Sequence, residues 1–151
     1  MYIYIRSMSE AQSKVYDNIA SHSAEMNKHI MKLLFYPDSQ YVSHWQHEIY
    51  SFLNSVPKLK NNNKFPKVDL ILKALSIYDD MIDAFIEPVQ DEESELTPCN
   101  IPLPKIESAI QKYHNWIATE LSSKGVVSQS AIRSKLTELV NSTLEEVEHG
   151  F

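Results

Sequence analysis

The sequence predicts an all-α, single-domain bundle of about five helices. Apolar residues recur at three- and four-residue spacing over several long stretches, which is the period of an amphipathic helix. The chain has only two glycines, so it offers few tight turns for the hairpins of a sheet. Its seven prolines stand mostly between the periodic stretches, where they separate helices.

Length and composition fit one globular unit over residues 1–151. A chain of 151 residues is the usual size of one domain and can bury a sizeable core. The hydrophobic content of 43% excludes general disorder. We therefore predict a single helical domain.

The periodicity predicts five helices. Ser7 and Glu10 have the spacing of a capping box at the start of helix 1, and Pro37 ends that helix. Gly125 predicts the break between the last two helices. Residues 2–6 alternate Tyr and Ile, which is compatible with a short N-terminal strand. The predicted helices cover about 8–36, 39–56, 66–87, 105–123 and 128–148, with a linker over 88–104.

Helix 3 differs from the other predicted helices because apolar residues cover well over half of its circumference. They are Val68, Leu70, Ile71, Leu72, Ala74, Leu75, Ile77, Tyr78, Met81, Ile82, Phe85 and Ile86. A helix that is apolar on nearly all sides is normally surrounded by neighbours. The pattern therefore predicts that helix 3 is buried at the centre of the bundle.

Composition argues against several classes of function. Gly125 and Gly150 alone cannot build a glycine-rich phosphate loop or a dinucleotide fingerprint. The formal net charge of −6 disfavours broad binding to nucleic acid, and no apolar run has the length of a membrane span. We expect no cofactor, no nucleic-acid partner and no membrane partner, and we identify no catalytic residue. The single cysteine, Cys99, is typical of a reducing compartment, so we expect a cytoplasmic location.

Polar residues on or beside the apolar faces are the candidates for a metal site. They are His22, His29, Glu48, Asp79 and Glu120. Helical bundles build metal sites from inward histidines and carboxylates of several helices. The alternative is a structural polar contact inside the core, such as a pair between His22 and Asp79. The spacing of these residues leaves both interpretations open.

The leading functional hypothesis is a non-enzymatic helical protein that binds another protein, with a second copy of itself as one partner. Adaptors, regulators and immunity or antitoxin-like proteins fit this description. Eight tyrosines and two tryptophans supply the aromatic side chains that are favoured at protein interfaces. The basic loop 58–67 and the acidic linker 88–104 carry opposite charge. The alternative function is a metal-dependent hydrolase with its site inside the bundle.

Self-association through residues 2–6 is a testable prediction. A lone strand leaves backbone donors and acceptors unpaired, and two copies related by a two-fold axis would pair them in an antiparallel ribbon. We expect the full chain to sediment as a dimer at high micromolar concentration, and a variant that begins at Ser7 to sediment as a monomer. A monomeric full chain contradicts the dimer. A dimer that survives the truncation moves the interface to the helices.

Overall fold

All regular structure in residues 10–56 and 67–149, the parts of the chain that the computed structural model describes, is helical. The elements are α1 (Glu10–Phe35), α2 (Val42–Asn54), α3 (Val68–Leu75), a 3-10 helix (Asp79–Met81), α4 (Ile82–Glu92), α5 (Leu103–Lys124) and α6 (Gln129–Glu148). The predicted all-α class is confirmed. None of these helices is long and apolar enough to cross a membrane. Residues 2–6 and most of the loop 58–67 lie outside the described residues.

The centre of the bundle is α1, which packs against each of the five other α-helices. Its last turn is surrounded on every side, because each residue from Ile30 to Tyr36 is buried. The centre therefore does not lie at predicted helix 3, which packs on α1 and α5 instead. The first two helices bury apolar residues at the three- and four-residue spacing from which they were predicted: Val15, Ile19, Met26, Leu33, Trp45, Ile49, Leu53 and Val56.

Predicted helix 3 is two helices, α3 and α4, separated by a turn. The backbone N–H of Asp79 donates to the carbonyl of Ser76 at 3.0 Å, and that of Met81 donates to the carbonyl of Tyr78 at 2.9 Å. Ser and Asp favour such turns because their side chains compete for local backbone groups. The break leaves Ile77 and Met81 40% and 49% exposed. All-round burial, which the apolar pattern predicted, is therefore wrong for this segment.

α4 continues through Pro88 to Glu92, although the sequence predicted a linker from residue 88. Proline inside a helix lacks a backbone donor and costs about 3 kcal/mol. Two tertiary contacts hold the turn that follows it. Val89 is fully buried, and the Lys32 ammonium donates to the Glu92 carboxylate at 2.7 Å. Packing against α1 therefore overrides the local signal.

The last two helices begin and end close to the predicted residues. Gly125 adopts a left-handed φ of 75°, and its N–H caps α5 by donating to the carbonyl of Leu121 at 2.8 Å. The Ser128 hydroxyl accepts from the N–H of Ala131 at 3.1 Å and caps the start of α6. The predicted apolar faces are confirmed by the burial of Ile106, Ile110, Tyr113, Ile117, Leu121, Ile132, Leu136, Leu139 and Val140.

Truncation of the two apolar side chains that flank the break tests this packing. Leu75 and Ile82 are 0% and 1% exposed. We expect Leu75→Ala and Ile82→Ala each to lower the free energy of unfolding by about 2–5 kcal/mol, because a cavity remains where the side chain was. Denaturant titration measures the loss. The control is Ile77→Ala in the exposed turn, which we expect to cost less than about 1 kcal/mol. Equal losses at the three positions would contradict the packing.

Candidate functional site

A cleft of about 490 Å³ lies beside the C-terminal end of α1. It is bounded by α1, by the start of α2, and by the end of α4 with the residues that follow it. The lining residues are His29, Lys32, Gln40, Tyr41, His44, Trp45, Glu92, Glu93, Ser94, Glu95 and Leu96. We call this feature the α1–α2 cleft. Its lining combines histidine, aromatic and acidic side chains around a single lysine.

A buried lysine contributes to the wall of the α1–α2 cleft. Lys32 is only 8% exposed, and its Nζ lies 2.7 Å from Glu92 Oε2 and 3.8 Å from Glu93 Oε1. Burying a charge without partners costs free energy, and these two carboxylates offset that cost for the Lys32 ammonium. The hydrogen bond from Lys32 holds the pKa of Glu92 below its usual 4.5. The last turn of α1 is thereby tied to the end of α4.

Three aromatic rings lie in a row beside the cleft, and two of them, Tyr41 and Trp45, belong to its lining. The Tyr41 ring lies 6.2 Å from the Trp45 ring, and Trp45 lies 6.2 Å from Tyr36. Tyr41 is 45% exposed, whereas Trp45 and Tyr36 are buried. Burial and the nearby Glu93 carboxylate raise the pKa of Tyr36. One exposed ring, that of Tyr41, therefore packs against two buried aromatic rings.

The charge of the cleft is negative at neutral pH, because three glutamates outnumber one lysine in its lining. His29 changes this charge little. Burial lowers the pKa of His29, which favours the neutral ring, and its Nδ1–H donates to the Glu25 carbonyl at 2.7 Å. His44 lies on the rim, 3.6 Å from Glu48. Carboxylates beside an exposed aromatic ring can bind a cationic group of a ligand.

Three of the predicted metal-site residues lie where α1 meets α2. The His22 ring stacks on Phe52 with centroids 5.3 Å apart, and His29 meets the same ring edge-on at 5.5 Å. Glu48 Oε1 lies 3.6 Å from His44 Nε2. The two predicted histidines are therefore packed on an aromatic ring. His29 also lines the cleft.

The other two predicted residues lie elsewhere. Glu120 accepts from Lys124 Nζ at 2.7 Å along α5. Asp79 lies at the turn after α3, where its Oδ2 is 3.5 Å from Nδ1 of His114. The predicted pair of His22 with Asp79 is therefore wrong, because Asp79 meets a different histidine. Within 10–56 and 67–149, no three His, Cys, Asp or Glu side chains form a group that could hold a metal ion.

A second polar feature, the His114 cluster, joins three parts of the bundle. His114 on α5 is 1% exposed, and its Nε2 lies 2.8 Å from Oδ1 of Asn27 on α1. Its Nδ1 lies 3.3 Å from the Ser76 hydroxyl and 3.5 Å from Asp79 Oδ2. Asn27 Nδ2 and Asp79 Oδ1 are buried and have no hydrogen-bond partner among the described residues. The cluster is thus one of the few polar contacts inside the core.

The sequence pattern indicates some residues of the α1–α2 cleft and of the His114 cluster. His114 falls four residues after Ile110 and three before Ile117, so it lies on the predicted inward face of its helix. Lys32 interrupts an apolar run at the end of helix 1. Tyr41 carried no such signal, since its position in the cleft depends on how α2 meets the end of α4. Spacing along one helix cannot report that contact.

Comparison of the chain with protein-family models, with curated proteins and with solved structures gives no significant match. Its function must therefore be inferred from the geometry of its own residues.

The pair of Lys32 and Glu92 predicts a pH dependence of stability. Since the folded pKa of Glu92 is lowered, the stabilisation is present above the usual 4.5 and is lost as pH falls through the folded value. We expect Glu92→Gln to lower the free energy of unfolding at neutral pH, and this difference to shrink as the pH falls below 4.5. Urea titrations at several pH values measure it. Glu87→Gln, at an exposed glutamate of the same helix, is the control and should show no such trend. A pH-independent effect of Glu92→Gln would contradict the pair.

Proposed function

We propose that the protein acts by binding another protein, and that the α1–α2 cleft receives a basic side chain of that partner. One observation carries the proposal. The cleft places an exposed aromatic ring beside an excess of carboxylates. This combination favours a lysine or arginine side chain, whose stem packs on the ring while its charge meets a carboxylate.

The aromatic wall supplies the apolar part of such contact. Tyr41 is 45% exposed, although its ring contacts the buried Trp45. Tyrosine is enriched at protein interfaces because it gives a large contact area with little loss of side-chain entropy. Since the Tyr41 ring contacts the buried Trp45, one side of it is already packed before a partner arrives.

The carboxylates supply the charged part. Lys32 bonds to Oε2 of Glu92, and the Glu92 side chain remains 52% exposed, so it can accept a further hydrogen bond from a partner. Glu95 is exposed on the same wall. Charges at such a rim mainly set the rate of encounter and the choice of partner. A basic partner would therefore bind faster at low salt than at high salt.

The chain itself contains a segment of the required chemistry. Residues 58–67 hold four lysines and no acidic residue. A second copy of the chain is therefore one partner that could present lysines to the cleft. This agrees with the self-association expected from residues 2–6, although the two contacts are separate and can be tested separately.

The alternative, a metal-dependent hydrolase, requires ligands that converge. Its candidates His22, Asp79 and Glu120 contact Phe52, His114 and Lys124 respectively. Elemental analysis of the purified protein separates the two proposals. Stoichiometric zinc, iron or manganese that is lost in His22→Ala would favour the hydrolase over the protein-binding function.

Binding of a basic peptide tests the proposed function. The probe is a labelled peptide with the sequence of residues 58–67, and the control peptide has its four lysines replaced by glutamine. We expect the basic peptide to bind, and Tyr41→Ala and Glu95→Gln each to weaken binding by about 5- to 30-fold, which is the range of a contact worth 1–2 kcal/mol. Fluorescence anisotropy measures the affinity.

Glu87→Gln is the matched control variant, since it removes an exposed glutamate of α4 that does not line the cleft. Equal weakening by Glu87→Gln and Glu95→Gln would show attraction to the net charge alone. Such a result, or equal binding of the two peptides, would contradict a site at the cleft.

A further inference from the structure

The His114 cluster gives Ser76 the surroundings of a nucleophile. The Ser76 hydroxyl lies 3.3 Å from Nδ1 of His114, and Nε2 of the same ring lies 2.8 Å from the Asn27 side-chain oxygen. A hydroxyl beside a base that a third residue orients is the arrangement used in covalent catalysis. We propose that Ser76 accepts the acyl group of a small apolar ester, with His114 as its general base. This proposal is independent of binding at the α1–α2 cleft.

Asn27 fixes the ring in the orientation that the reaction requires. Its Oδ1 accepts a hydrogen bond from Nε2–H, which leaves the lone pair of Nδ1 directed at the Ser76 hydroxyl. Asn27 is fully buried and His114 nearly so. Both belong to long helices of the core, so packing limits their motion. Asn27 is therefore a positioning residue.

Asp79 stabilises the positive charge that develops on the His114 ring during the reaction. Its Oδ2 lies 3.5 Å from the same Nδ1 that faces Ser76. When the Ser76 proton moves to Nδ1, the imidazolium forms beside this carboxylate, which stabilises it. The second oxygen, Oδ1, is buried and without a hydrogen-bond partner among the described residues. No other donor among the described residues therefore competes with His114 for this oxygen.

The position of Ser76 gives a substrate access that His114 and Asn27 lack. Ser76 is the C-terminal cap residue of α3 and is partly exposed, whereas His114 behind it is buried. Two exposed apolar residues, Ile77 and Met81, belong to the same turn. Exposed apolar side chains beside a nucleophile favour an apolar acyl group. The arrangement therefore favours short-chain esters over charged substrates.

The reaction balances without a cofactor. The Ser76 oxygen bonds to the ester carbonyl carbon while its proton moves to Nδ1 of His114. The bond from that carbon to the leaving oxygen then breaks, and the leaving alkoxide takes the proton from Nδ1. Water adds to the acyl-serine in the second half, gives its proton to Nδ1, and releases a carboxylic acid as the proton returns to the Ser76 oxygen.

A matched pair of serines tests the activation of position 76. Ser55 is the C-cap residue of α2, as Ser76 is of α3, but its hydroxyl donates to the Phe52 carbonyl at 2.7 Å. In Ser76→Cys and Ser55→Cys, alkylation by iodoacetamide is followed at each thiol by mass spectrometry. We expect at least about 10-fold faster alkylation at position 76, because an adjacent histidine favours the thiolate. Ser55 is the more exposed serine, so accessibility alone predicts the opposite order.

The effect of Asn27 on the alkylation rate distinguishes activation by His114 from other causes of reactivity at position 76. Adding Asn27→Ala to Ser76→Cys should reduce the alkylation rate to that of Ser55→Cys. Circular dichroism and thermal unfolding of each variant show whether the fold is retained. Equal alkylation rates at positions 76 and 55 in the two folded variants would overturn the proposal.

Hydrolysis of p-nitrophenyl butyrate by the full chain tests the activity itself. We expect a rate above that of Ser76→Ala by on the order of 100-fold, the low end of what a positioned base contributes. Ser55→Ala should match the unsubstituted chain. A fluorophosphonate probe should label the unsubstituted chain on Ser76, and peptide mapping locates the label. Equal hydrolysis by the Ser76→Ala variant, together with no label on Ser76, would overturn the proposal.

Discussion

The burial of α1 is the constraint on which the rest of the structure depends. Because this helix contacts every other α-helix, polar side chains on its inner half cannot reach water and must find partners inside the protein. Three such residues are buried between positions 13 and 35, the part of α1 whose side chains the structure describes. Ser23 donates to the Ala20 carbonyl of its own helix at 2.8 Å, whereas Asn27 and Lys32 require other parts of the chain. The contact of Asn27 with His114 connects α1 to α5, and the contact of Lys32 with Glu92 connects α1 to α4.

Each connection lies beside a place where a helix departs from its local sequence signal. The Lys32 ammonium holds the last turn of α4 in place, so the helix persists past a proline that would otherwise end it. The ring that meets Asn27 also meets Ser76 and Asp79, and the helix breaks at these two residues. A contact with α1 thus accounts for the helix that continues past Pro88, whereas the break between α3 and α4 lies at residues that contact His114 of α5.

The sequence predicted what depends on spacing along one helix and missed what depends on contacts between helices. Gly125 and Ser128 correctly predict the turn between α5 and α6, because a cap residue bonds to backbone groups only a few positions away in the sequence. The prediction for helix 3 was wrong because an apolar pattern on all sides of a helix does not reveal which sides have neighbours. His22 and Asp79 were both recognised as polar residues near the core. Their partners, Phe52 and His114, come from other helices, and the pattern of a single helix does not identify them.

Stability alone does not require these polar groups at α1. A buried ion pair can often be replaced by apolar residues of similar volume without loss of stability, and so can a buried hydrogen-bonded pair when both partners are replaced. Leucine or methionine at positions 27 and 32 could thus pack in the core without loss of stability if the residues that contact them were replaced by apolar residues as well. Apolar residues could not supply the two properties that function would use. Lys32 keeps two carboxylates at the rim of an aromatic cleft, and Asn27 keeps the lone pair of a buried imidazole directed at a partly exposed hydroxyl. The same constraint that fixes the fold therefore creates both candidate sites.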